Sequence, residues 1–125
     1  MNVVAHRAKA DSVERSLARC SAADYETIIE GCMLAGTHWF NVALHRVGLM
    51  ATDADAMHAE FLSVGQRRKI AIVLADALAG LDTIESLRTS HVRGDLAGGE
   101  AAAQRALACL AQLKHSAESP VSPLP

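Results

Sequence analysis

The sequence predicts an all-α protein: a four-helix up-and-down bundle with a short extra helix between the second and third long helices. Three observations carry this expectation. Two long proline-free stretches, Ser21 to Val47 and Gln66 to Val92, hold apolar residues at helical spacing. Half of the residues are hydrophobic but only 3% are aromatic. The core must therefore be built from Leu, Ile, Val and Ala, and alanine-rich faces let helices approach closely. Runs of β-branched residues alternating with polar ones, the mark of a half-buried strand, are scarce. At 125 residues the chain suits one domain, residues 1–118. The proline-rich tail, residues 119–125, cannot continue a helix and is expected to be disordered.

Helix one is expected from Val3 to about Ala18. Its apolar stripe, Val3, Ala10, Val13 and Leu17, is narrow, which places it at the periphery of the bundle. Ser21 and Asp24 form a Ser-x-x-Asp cap for helix two, with the Ser21 oxygen expected to satisfy a first-turn N–H. Helix two then runs to Val47, about 40 Å at 1.5 Å per residue. Its core stripe is Tyr25, Ile28, Ile29, Cys32, Gly36, Trp39, Ala43 and Val47. Gly36 costs helix stability, and a close helix crossing there accounts for it. Gly48 supplies a left-handed cap.

Thr52 and Asp55 make a second capping box, expected to open a short helix through Leu62 that carries His58, Glu60 and Phe61. Ser63 and Gln66 make a third and begin helix three. Ile70, Val73, Leu74, Ala77, Leu78, Leu81, Ile84 and Leu87 form its buried face. A loop from Arg93 to Gly99 holds three glycines, and helix four follows from about Glu100 to His115. Ala103, Leu107, Leu110 and Leu113 face inward there.

The formal charge of −2 supplies no basic field for nucleic acid or an anionic membrane. The one dense basic run, Arg67-Arg68-Lys69, reads as a solvated turn, with a phosphate contact as its alternative. Three widely spaced cysteines, Cys20, Cys32 and Cys109, without a Cys-x-x-Cys pair, point to free thiols in a reducing compartment. The N-terminus lacks the apolar core of a secretory signal. The longest apolar run, Ile70 to Leu81, contains Asp76 and is too short to span a bilayer. A cytoplasmic location is the resulting expectation.

His38, Asn41 and His45 share one face of helix two, opposite the Tyr25–Ile29–Trp39 stripe. That face reads as solvated, as a dimer contact, or as a site. Seven residues are too many for His38 and His45 to bind one ion, since helical ligand pairs sit three or four apart. His58 and Glu60 could add ligands only through tertiary proximity, so neither a metal nor another cofactor is expected. Arg88 falls on the buried face of helix three with His91 one turn later. A guanidinium there needs acceptors. It either snorkels out and ties down the glycine loop, or serves as the fixed charge of an anion pocket. No Gly-x-Ser-x-Gly elbow, Walker loop or Glu-x-x-His motif is present, so no catalytic residue is assigned.

The long second helix with its Ala35-Gly-Thr-His-Trp-Phe-Asn41 centre resembles that of a HEPN domain. The Met57-to-Leu62 histidine segment, the helix ending Leu87-Arg88-Thr89 and the alanine-rich Glu100-to-Leu113 helix complete the resemblance, which covers most of residues 21–115. It implies a helical dimeric module of prokaryotic toxin systems. Catalytic members of that family carry Arg-x4–6-His as a ribonuclease site. With Arg88 in the arginine position, the histidine would fall at Arg93, Gly94 or Asp95, and His91 follows too closely. The resemblance therefore implies a non-catalytic interaction or ligand-binding module that homodimerises. Arg88 and His91 would anchor a small anionic ligand or a protein partner, and His38, Asn41, His45 and His58 would be contact residues. The alternatives are a ribonuclease working through Arg88 and His91, and a structural partner subunit.

Overall fold

The computed structural model describes residues 1–57 and 62–120. Among the described residues five α-helices form an up-and-down bundle, and no strand occurs. They are α1 (Val3–Leu17), α2 (Tyr25–Arg46), α3 (Val64–Val73), α4 (Ala75–Arg88) and α5 (Gly99–Glu118). α2 is the hub: it packs on α5, α1 and α4. From Trp39 to Leu44 every one of its residues is buried. An all-round buried stretch marks a helix surrounded by others. Gly36 sits where α2 meets α4 and α5 closely. A Cβ there would stand 3.1 Å from a Leu113 methyl and 3.4 Å from one of Ile84, so the expected close crossing is present.

The ends of the elements follow local chemistry in most places. Gly48 takes φ +76°, while the Leu49 N–H donates to the Leu44 carbonyl and the Gly48 N–H to that of His45. These two bonds make a Schellman cap. Ser63 and Gln66 form the expected reciprocal box, at 3.1 and 2.9 Å. α5 ends at Ser119, whose N–H reaches the His115 carbonyl, and Pro120 follows.

Three boundaries differ from the sequence expectation. α2 begins at Tyr25 instead of Ser21, because the Asp24 carboxylate turns back to accept from the Ser21 N–H and hydroxyl. Residues 51–57 are not helical: Asp55 does not cap Thr52, and its carboxylate is engaged by side chains from α1 and α2. The short extra helix is instead α3, split from α4 at Leu74, whose φ −130° and ψ 45° interrupt the ladder. The break folds α3 back on α4, so that Arg67 forms an ion pair with Asp82 and Ile70 enters the core. At its other end α4 continues as a π-helical turn, Thr89–Arg93.

α1 lies at the edge of the bundle, tied by the Glu14 carboxylate accepting from the Trp39 indole N–H at 3.0 Å. The three cysteines are free thiols. Burial pushes the Cys32 thiol up to about 12, so it stays protonated as a core side chain. No described helix is long and apolar enough to cross a membrane.

Candidate functional site

The face of α2 that carries His38, Asn41 and His45 is covered, contrary to its reading as solvated. α1 lies over one side and residues 51–57 over the other. Asn41 is 1% exposed. Its amide nitrogen donates to the carbonyls of Thr37 and Ala56 at 2.9 and 2.8 Å, and its oxygen accepts from the Ala56 N–H at 2.7 Å. A primary amide can satisfy both polar groups of one peptide residue in this way. Asn41 thus pins residue 56 against the helix, and that fixes the preceding residue, Asp55, over the histidines.

Asp55 Oδ1 lies 2.8 Å from His6 Nε2 and 2.9 Å from His45 Nε2. Both rings are almost sealed, with side-chain exposures of 3% and 0%. His45 Nδ1 faces the Met50 carbonyl at 3.1 Å, and His6 Nδ1 faces His38 Nδ1 at 2.9 Å. Asp55 Oδ2 is 3.2 Å from the amino group of Met1. Burial alone would raise the Asp55 carboxyl, but hydrogen bonds from His6, His45 and that amino group outweigh it and hold it at about 2. Burial, together with the nearby His6 and Lys9, lowers His38 from its ordinary 6.5 against the pull of Asp55.

These shifts predict two acid steps in stability. His38 favours the neutral ring in the fold, so below pH 6.5 the unfolded chain takes up a proton that the folded chain resists, and stability falls. Asp55 contributes fully above the ordinary carboxylate value of 3.8, and that contribution disappears as the pH approaches 2. Urea midpoints measured from pH 7.5 to 2 in EDTA should fall in both windows. His38→Gln should remove the upper step and Asp55→Asn the lower. A midpoint independent of pH contradicts the assignment.

From this cluster a cleft of about 1060 Å³ extends along α2 toward the end of α4. Its walls are Val13, Leu17, Met33, Leu34, Met57 and Val92, with His38 and Thr37 near one end and Glu30 and Arg88 at the other. Arg88 is matched by two carboxylates, although its buried Nη1 makes no hydrogen bond. Its Nε donates to both Glu30 oxygens at 2.9 and 3.0 Å, and Nη1 stands 3.6 Å from Glu85 Oε1. Two carboxylates thus face one guanidinium. His91 is separately engaged: its Nδ1 lies 3.0 Å from the Leu96 carbonyl, which ties the π-helical turn to the following loop.

Comparison with protein-family models, with curated proteins and with solved structures finds no match. The site therefore rests on geometry alone. Of the residues expected from sequence, His38, Asn41 and His45 converge on one place. Arg88 and His91 point to different partners, and His58 lies outside the described residues. His6 and Asp55 were not anticipated. His6 had a signal: the α1 stripe Val3, Ala10, Val13, Leu17 skips one inward position, and residue 6 fills it. Asp55 had none, because a Thr-x-x-Asp box reads as a helix start.

Proposed function

We propose that the chain is a non-catalytic ligand-binding module whose cleft takes an elongated small molecule with an apolar body and a hydrogen-bonding head. The observation that carries this reading is the cleft itself. Small-molecule sites are concave, mostly apolar, and hold a few placed polar groups in volumes of a few hundred to about 1,000 Å³. Here six apolar side chains line a space of about 1060 Å³, and His38 and Thr37 offer polar contacts near one end. The HEPN-like layout fits such a module. A ribonuclease centre on Arg88 and His91 draws no support from the geometry, because Arg88 is engaged by Glu30 and Glu85, and the His91 Nδ1 by Leu96.

The test uses 8-anilinonaphthalene-1-sulfonate, an amphiphilic fluorophore with an apolar ring body and a sulfonate head. One dye should bind per chain with enhanced emission. Leu34 and Met57 line the cleft yet are 52% and 67% exposed, so charge there should not disturb the core. Leu34→Glu and Met57→Glu should each weaken dye binding at least tenfold with an unchanged melting temperature. Equal affinity in the wild type and both variants sinks the reading.

A further inference from the structure

We propose that His6, His45 and Asp55 form a binding site for one divalent transition-metal ion of the zinc or iron(II) class, with His38 as a positioning residue. One donor atom from each of the three lies within 4.8 Å of the others. The Met50 carbonyl can only accept, so the His45 Nδ1 facing it at 3.1 Å carries a ring hydrogen. Nε2 is then the nitrogen aimed at the carboxylate Oδ1, from 2.9 Å. A cation must lie between them, either a proton on Nε2 or a metal ion that displaces it.

His6 presents its Nε2 to the same oxygen at 2.8 Å. Its far nitrogen is likewise engaged, by His38 Nδ1 at 2.9 Å. The pattern is that of metal-bound imidazoles, each held in orientation through the ring nitrogen that does not ligate. In a site of this kind His6 Nδ1 donates to His38 and His45 Nδ1 donates to Met50, leaving both Nε2 atoms free for the ion. The spacing also suits an ion. Two donors bound at about 2.1 Å in the tetrahedral geometry of zinc stand about 3.4 Å apart, so the 2.8 and 2.9 Å contacts need open by only about half an ångström to admit the ion. Two imidazoles and one carboxylate select borderline divalent ions over Mg²⁺ or Ca²⁺, which prefer oxygen donors alone. Asp55, whose side chain is 23% exposed, gives the ion a path in from solvent. Three protein donors leave coordination positions for water or another donor.

The three ligands come from α1, α2 and the segment that Asn41 pins, so binding would clamp three parts of the chain together. The proposal does not depend on an organic ligand in the cleft, because metal uptake is measured without one and dye binding is measured in EDTA.

The experiment titrates Zn²⁺ into EDTA-treated, dialysed full-length protein by calorimetry, and Co²⁺ by absorption spectroscopy. One ion per chain is expected, with a rise in melting temperature. Asp55→Asn and His6→Gln should each weaken Zn²⁺ affinity at least 100-fold. His38→Gln should weaken it 10- to 100-fold, as outer-shell partners of ligating histidines do. His115→Ala, at an exposed position on α5, should leave affinity unchanged. Ring resonances of the wild type supply a readout that needs no variant: Zn²⁺ should move those of His6 and His45 and spare those of His91 and His115. Failure of the wild-type protein to take up Zn²⁺ or Co²⁺ overturns the proposal, and so does uptake that moves His91 or His115 in place of His6 and His45 or persists undiminished in folded Asp55→Asn.

Discussion

Asn41→Ala should cost about 3 kcal/mol of folding stability, far more than loss of an amide from a surface helix. The side chain satisfies the N–H and the carbonyl of Ala56, which is 6% exposed. Each buried polar group left without a partner costs about 1–3 kcal/mol. Asn41→Leu restores the volume and leaves both groups unpaired, so it should lose a similar amount. Asn41→Asp keeps an acceptor for the Ala56 N–H and loses the donor to its carbonyl, and should fall between. Urea denaturation of the three variants checks the order. A loss below about 1 kcal/mol for Asn41→Ala would mean that water replaces the amide freely and that the clamp does not hold the segment.

The second large effect is expected at the far end of the cleft. Arg88→Met should destabilise by about 3 kcal/mol, the lower end of what removing one partner of a buried ion pair costs. The reason lies in Glu85, whose side chain is 13% exposed and whose two oxygens lack hydrogen bonds, so Arg88 is its counter-charge. Glu30 is 44% exposed and can return to water. Glu85→Leu combined with Arg88→Met should therefore recover most of the loss, because a well-packed apolar pair can replace a buried ion pair at little or no cost. The double-mutant cycle isolates that coupling. If the double variant is less stable than Arg88→Met alone, Glu85 is not held by Arg88 and the packing there follows another logic.

Features that depend on neighbours in sequence were legible. The Ser63–Gln66 box, the Gly48 cap and the tight crossing at Gly36 need only a few residues of context, and each occurs where expected. Features set by distant partners were not. The Thr52–Asp55 pattern is a valid helix start, but here the carboxylate is captured by histidines 49 and 10 residues away. No proline or glycine at Leu74 announces the break between α3 and α4. It accompanies the ion pair of Arg67 with Asp82, a contact invisible to helical periodicity. The histidine face of α2 shows the same limit: helical spacing identified its members, and only the fold of α1 and residues 51–57 over them turned a polar row into an enclosed cluster. The gap in the α1 stripe was the one long-range clue the chain offered, because an inward-facing histidine needs a polar partner somewhere.

The central position of α2 also sets the order in which the molecule comes apart. Backbone amides near Trp39 and Val42 are shielded by three other helices and can exchange hydrogen with solvent only through global opening. α3 places Ile70 alone among its residues in the core, so it peels away at far lower free energy. Thermal motion thus divides the protein into a slow-opening axle and a loosely attached flap, and any binding event on the α1–α2 side would act on the axle.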